Sequence, residues 1–257
     1  MLVENTLFGV KDKVKIAIEQ LKDLEPEEGY YLAFSGGKDS CVIKALADMA
    51  DVKYDAHYSM TTIDPPEVVR FIKHQHPDVK MEKPKRGFFA QLVKTGYPTR
   101  QARWCCTLLK EKGGENRFVI TGVRAAESSK RAGRKKIEFC YKSSGKRYLN
   151  IIIDWTDGDV WDFIKDQHIP YCSLYDEGFK RIGCVLCPLN RDRNKHITRF
   201  PKMVNAWKAA FRNRYKYCQE RGLNSAKRFR NAEDMFNFWL YDVDGSKEDA
   251  DQTVMFE

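Results

Sequence analysis

The stretch Tyr30-Tyr31-Leu32-Ala33-Phe34-Ser35-Gly36-Gly37-Lys38-Asp39-Ser40-Cys41-Val42-Ile43-Lys44-Ala45-Leu46-Ala47 reads as a buried strand, a loop of phosphate size and a buried helix. Two glycines without Cβ let the backbone turn tightly and approach an oxyanion. The first N–H groups of the following helix point at the same place, with the positive end of the helix dipole behind them. Lys38 and the hydroxyls of Ser35 and Ser40 add charge-assisted contacts. The spacing is not that of the Walker-type loop of kinases and GTPases, so a different nucleotide chemistry is expected. A Gly-Gly turn capped by Asp39 or Ser40 is the plainer alternative.

Outward from that stretch, strands alternate with helices. Val10, Val14, Ala17, Ile18, Leu21 and Leu24 fall at helical spacing and predict a first helix ending before Pro26. Tyr54 to Met60 reads as a second strand, and Asp64-Pro65-Pro66-Glu67 as the start of a helix through His76. Short apolar runs at Arg117 to Thr121 and Leu149 to Ile153 suit buried parallel strands. The expected fold class is α/β, a mostly parallel sheet with helices on both faces, in which ligands sit at the carboxyl ends of the strands. Both the Ser35 to Ser40 loop and Gly122-Val123-Arg124 fall at such ends. Met203, Trp207, Ala210 and Phe211 begin a helical C-terminal appendage. The domains expected are an N-terminal helix over 1–27, a nucleotide domain over 28–200 and the appendage over 201–257, with an acidic tail in its last sixteen residues.

The 257 residues suffice for one sizeable core and a smaller addition, and 42% hydrophobic content is that of a folded globular protein. No apolar stretch approaches the roughly 18 residues of a membrane span, and no export signal is evident, so a cytoplasmic location without membrane partners is expected. The net charge of +9 is uneven: between Arg124 and Arg147 nine Lys or Arg face only Glu127 and Glu138. Anionic partners follow from this, a nucleotide, a nucleic acid or both. Arg212, Arg214, Tyr215, Lys216 and Tyr217 interleave charge with aromatics as a nucleic-acid contact would; a solvated helix face explains them equally well.

Eight cysteines in a chain of this length, without an export signal, point to metal or redox chemistry rather than a disulfide scaffold. Cys105-Cys106 and Cys184-Val185-Leu186-Cys187 supply four thiolates, which suit a tetrahedral zinc or an iron–sulfur cluster. Adjacent residues on a helix diverge by about 100°, which favours a 4Fe-4S cluster, with separate irons for separate thiolates, over one zinc. A redox dithiol and inert core cysteines are further alternatives. Cys41 and Cys218 read as packing residues.

The loop resembles the SGGxDS pyrophosphate (PP) loop of the adenine nucleotide α-hydrolase-like superfamily, the ATP pyrophosphatases. The stretches Ile152 to Ile164, Ile169-Pro170-Tyr171, Leu174 to Phe179 and Ile182 to Pro188, with Cys105 to Lys110 and Gly122 to Ser128, resemble the phosphoadenosine/adenosine phosphosulfate (PAPS/APS) reductase family. Together they cover about Glu28 to Leu189. The resemblance implies an adenine nucleotide, ATP or APS/PAPS, held by Ser35, Gly36, Gly37, Lys38, Asp39, Ser40, Gly122 and Arg124. Lys38, Asp39, Arg124 and Lys110 would be the catalytic groups, with Mg²⁺ shielding the phosphates. Cys105, Cys106, Cys184 and Cys187 would hold a 4Fe-4S cluster.

Reductases of the family carry a C-terminal catalytic cysteine, whereas here no cysteine follows Cys218. That departure tilts the expectation towards ATP-dependent adenylation and sulfur transfer to a nucleic-acid or other anionic acceptor. A sulfonucleotide reductase and a non-catalytic nucleotide- or redox-sensing module are the alternatives. A sulfur or electron donor is an expected partner, and a homo-oligomer is possible. His57, Glu127 and Arg131 are candidates for substrate contact or for plain structural pairing, and Trp104 is a candidate wall for the thiols.

Overall fold

A computed structural model describes residues 2–6, 9–140, 145–190 and 193–242; the acidic tail lies outside the described residues from 243 on. In chain order the elements are β1 (Val3–Thr6), β2 (Gly9–Asp12), α1 (Lys13–Asp23), β3 (Tyr30–Ala33), α2 (Lys38–Ala50), β4 (Tyr54–Ser59), α3 (Pro66–Gln75) and β5 (Lys80–Glu82). Then come α4 (Phe88–Thr95), α5 (Trp104–Leu109), β6 (Phe118–Ile120), α6 (Ser129–Ala132), β7 (Ile137–Phe139), β8 (Arg147–Leu149) and α7 (Asp157–Asp166). The last are α8 (Arg193–Arg199), α9 (Pro201–Glu220), α10 (Asn224–Arg228) and α11 (Ala232–Asn237).

These elements form two compact units. One comprises Met1–Met60, Asp64–Lys83 and Lys112–Gly183; the other comprises Thr61–Ile63, Pro84–Glu111 and Cys184–Glu257. The expected boundary at 201 therefore falls inside the second unit, and Cys105, Cys106, Cys184 and Cys187 belong with the C-terminal helices rather than with the nucleotide loop. A chain that leaves one unit and returns to it twice leaves no composition break at the crossings.

In the first unit, a six-stranded sheet of order β5-β4-β3-β6-β8-β7 is parallel except for the edge strand β7. It is the α/β architecture expected. Tyr30, Tyr31 and Leu32 of β3 are buried, as a central strand covered on both faces requires. From β3 the chain moves one way to β4 and β5, then crosses to β6 on the other side. The gap between β3 and β6 is thus the topological switch point, where such sheets open a crevice for ligands.

Two expectations change in detail. Val10 lies in β2 and is exposed, because Asp12 accepts hydrogen bonds from the N–H groups of Val14 and Lys15, both at 3.0 Å, and starts the first helix there. The run Leu149 to Ile153 leaves the sheet after Leu149: the buried Asn150 side chain donates to Lys135 O at 2.7 Å and accepts from Thr121 Oγ1 at 2.5 Å, turning the chain.

The second unit packs α4 and α11 on α9. Its centre is aromatic: Trp207 stacks on Trp239 at 4.5 Å and meets Phe88 edge-on at 4.9 Å, and Phe88 stacks on Trp104 at 5.2 Å. No helix among the described residues is long and apolar enough to cross a membrane.

Candidate functional site

The loop leaves β3 through Gly36 at a φ of +73° and enters α2 at Lys38. Several of its polar groups already have partners. Ser35 Oγ donates to Ser40 Oγ at 3.2 Å, Ser40 Oγ donates to Gly37 O at 2.7 Å, and the Lys38 N–H donates to Tyr175 Oη at 2.9 Å. Tyr175 is held neutral, because burial pushes its phenol far above the ordinary range.

From the end of β6, Arg124 reaches back across the switch point. Its Nε donates to Asp39 Oδ1 at 2.6 Å and its Nη2 to Asp157 Oδ1 at 3.0 Å. Lys38 Nζ meets the same Asp157 oxygen at 3.0 Å and lies 5.6 Å from the ring centre of Tyr175 and 5.9 Å from that of Trp161. Lys38 and Arg124 are both buried. Burial pushes the Asp157 carboxyl up, but Lys38 and Arg124 outweigh it and hold the group below the ordinary carboxylate range. Asp39, named from the sequence as a catalytic and nucleotide-holding group or a turn cap, pairs with Arg124. Gly122 permits the approach, since a Cβ there would lie 3.0 Å from the carbonyl carbon and oxygen of Asp39.

Tyr175, Trp161 and Asp157 were not singled out from the sequence. They lie within the family-like stretches, but only the fold brings them to Lys38.

The four paired cysteines lie in the second unit, as does Lys110, and no described cysteine is in a disulfide. A hydrogen bond from Cys105, working against burial and helped by Lys110 and Arg103, holds the Cys106 thiol down at about 6. Cys105 is pushed far up, by that shared proton first and by burial second; Cys184 and Cys187 act on it in the same direction. Burial and the charge of Cys184 push Cys187 up. The four sulfurs therefore share one electrostatic environment. Among the described residues no group of three or more His, Cys, Asp or Glu is arranged to hold a metal ion, whether zinc or the irons of a cluster. His196, which the sequence did not flag, fixes the turn of the second pair: Leu186 N–H donates to its Nδ1 at 3.0 Å, with Leu186 at a φ of +58°.

Other candidates resolve into structural roles. His57 stacks on Tyr31 at 4.2 Å, bonds Glu82 at 2.7 Å and contacts Asp55. Arg131 pairs with Glu127, which accepts from the Arg124 N–H at 3.1 Å. Arg214 is buried and donates to the Val93 and Lys94 carbonyls at 3.0 Å, closing the C-terminus of α4. Tyr215 Oη donates to the Phe229 and Arg230 carbonyls. Arg214 is therefore spent inside the unit, whereas Tyr215 is half-buried and Arg212 and Lys216 are exposed. Trp104 Nε1 donates to Gly96 O at 3.1 Å, so the indole is fixed beside Cys105.

A parallel sheet with a glycine-rich phosphate loop at its switch point is the architecture of the PP-loop superfamily. Within it, the family model of the phosphoadenosine phosphosulfate reductase domain matches residues 29–190, and the chain belongs to that family. An uncharacterized protein of Methanocaldococcus jannaschii is 34% identical over 68% of this chain and 46% of its own length. A second from that organism is 30% identical over 70% and 41%, so the chain spans less than half of these archaeal relatives. An adenosine 5'-phosphosulfate reductase of Staphylococcus epidermidis is 28% identical over 70% of this chain and 79% of its own length. Among solved structures, a phosphoadenylyl-sulfate reductase from Candida auris superposes with a TM-score of 0.51 at 20% identity, covering 67% of this chain and 87% of that one. That likeness is one of fold.

Proposed function

We propose that the first unit binds an adenine sulfonucleotide and that the protein is a sulfonucleotide reductase. The carrying observation is the convergence of two buried cations, Lys38 and Arg124, on one point beside the loop. The similarity to adenosine 5'-phosphosulfate reductases supports this ligand over other adenine nucleotides. In the reaction a thiolate attacks the sulfur of the phosphosulfate. An S–S bond forms, the S–O bond breaks, and AMP departs with the electron pair on its phosphate oxygen. Lys38, Arg124 and the loop N–H groups stabilise that developing charge. A second thiol then displaces sulfite and leaves a disulfide, so a dithiol is oxidised as sulfate-level sulfur becomes sulfite.

Cys105, Cys106, Cys184 and Cys187 are the residues that would hold a 4Fe-4S cluster. What supports this reading is the pairing of the cysteines in the sequence and their place in one compact unit, where Cys106, Cys184 and Cys187 all act on Cys105. When bound, the cluster supplies a redox-active, electron-poor centre.

A second reading, ATP-dependent adenylation of an acceptor followed by sulfur transfer, is favoured by Cys218. Cys218 is fully buried on α9, a setting ill suited to an attacking thiol. That chemistry would use Mg²⁺ and an anionic acceptor such as a nucleic acid. The two readings separate in one assay. Sulfite and AMP released from a phosphosulfate in the presence of a dithiol support the reductase, whereas pyrophosphate released from ATP in the presence of nucleic acid, with no sulfite from a phosphosulfate, overturns it. Lys38→Ala or Arg124→Ala is expected to weaken nucleotide binding by roughly 10- to 100-fold, the loss of one charge-assisted contact.

A further inference from the structure

One oxygen of Asp157 takes both cations of the nucleotide site. Lys38 Nζ and Arg124 Nη2 each lie 3.0 Å from Asp157 Oδ1, although the side chains of Lys38 and Arg124 are 6% and 4% exposed and that of Asp157 is 63% exposed. Asp39 holds Arg124 from its other donor at 2.6 Å and lies 3.9 Å from Lys38. Two positive and two negative groups therefore balance at the loop. Of the two carboxylates, Asp157 is the one open to solvent.

Asp157 can leave without disturbing the fold. It is the first residue of α7, whose N-terminus is fixed by its neighbours: Asp159 N–H donates to Thr156 Oγ1 at 3.1 Å and Thr156 N–H donates to Asp159 Oδ2 at 2.8 Å. Rotation about the Asp157 side chain breaks no bond of that capping box. Lys38 stays beside the rings of Tyr175 and Trp161, and Arg124 stays bound to Asp39 and to the Trp155 carbonyl at 3.5 Å. The cations remain in place when the carboxylate swings out.

Resting on the nucleotide-binding reading above, we propose that Asp157 is an internal counter-anion: the anionic group of the ligand replaces its carboxylate on Lys38 and Arg124, so that Asp157 sets the affinity of the site and its selectivity for ligand charge. A ligand with one weak negative group gains little over the carboxylate it displaces. A doubly charged phosphate or phosphosulfate gains more, and it gains without having to gather the two cations. Asp157 is thus a positioning residue that filters ligands by charge.

The test is isothermal titration of wild type and Asp157→Asn with adenosine, AMP and ATP, in EDTA and at two salt concentrations. Asparagine keeps the size and removes the charge. AMP is expected to bind the variant roughly two- to fivefold tighter, the effect of removing a competing, partly exposed ion pair. ATP should gain at least as much, and its binding should become more salt-sensitive; uncharged adenosine should be unaffected. Asp157→Ser, read alongside, controls for any contact made by the amide. Unchanged or weaker binding of AMP by both variants overturns the inference and leaves the nucleotide site standing. Failure of folded wild type and variants alike to bind any of the three, or the phosphosulfate, overturns the nucleotide reading and this inference with it.

Discussion

Gly36 and Gly122 shape the loop for different reasons. At Gly36 the backbone takes a φ of +73°, and a Cβ would lie 2.8 Å from Val68 Cγ1 and 3.0 Å from Ile72 Cδ1 on α3. Gly36→Ala combines left-handed strain with crowding and is expected to lower stability by about 1–3 kcal/mol in urea denaturation. At Gly122 the obstacle is the main chain of Asp39, which cannot rotate aside. Gly122→Ala is expected to push the first turn of α2 away and weaken nucleotide binding more than it weakens the fold; an unchanged dissociation constant would show that the Asp39 to Arg124 contact is dispensable. The need for glycine at the loop was legible in the sequence because a tight turn from strand to helix demands it. The service Gly122 gives to Asp39 was not, because those residues meet only when β6 lies beside β3.

At the level of elements, α7 is tied to α1 through a buried ion pair. Lys13 Nζ lies 2.8 Å from Asp159 Oδ2, with side chains 4% and 0% exposed, and also binds Glu4 at 2.6 Å. Asp159 caps α7 with the same carboxylate. Burial pushes its pKa up, but Lys13 and the Thr156 hydrogen bonds outweigh that and depress it far below the ordinary range. A depressed carboxylate contributes stability that is present above its unfolded pKa, about 4, and is lost as pH falls through the lower folded value. Asp159→Asn, which leaves Lys13 with Glu4 as its remaining carboxylate partner, is expected to cost about 1–3 kcal/mol at neutral pH. The gap to wild type should narrow steadily below about pH 4, and a gap that stays constant down to strong acid would remove the ion pair as its source. The helix pattern of Lys13 to Asp23 was readable from spacing; its partner 146 positions along the chain was not. The same blindness to distant contacts let Val10 pass as helical and ran the Leu149 strand too far, since the Asp12 and Asn150 side chains decide those ends.

Over the whole molecule, the Ser35 to Ser40 loop and the paired thiols are carried by separate compact units. Motif order made both visible in the sequence, since each stands in a short contiguous stretch. The division could not be read, because unit two is assembled from three segments. It has a consequence for what each substitution disturbs. Cys187→Ser or Cys105→Ser removes a thiol from the second unit, while Ser35 to Ser40, Arg124 and Asp157 all stay with the first. After anaerobic purification, wild type is expected to contain iron and acid-labile sulfide in equal amounts and to absorb visible light. Each Ser variant should lose the iron and the colour yet bind AMP as wild type does, whereas Cys41→Ser, altering a buried thiol on α2 in the first unit, should keep the cluster. One zinc per chain with no sulfide would overturn the cluster reading. Loss of AMP binding in the Cys variants would instead show that the units are energetically linked, so that the thiol environment reports on the nucleotide loop.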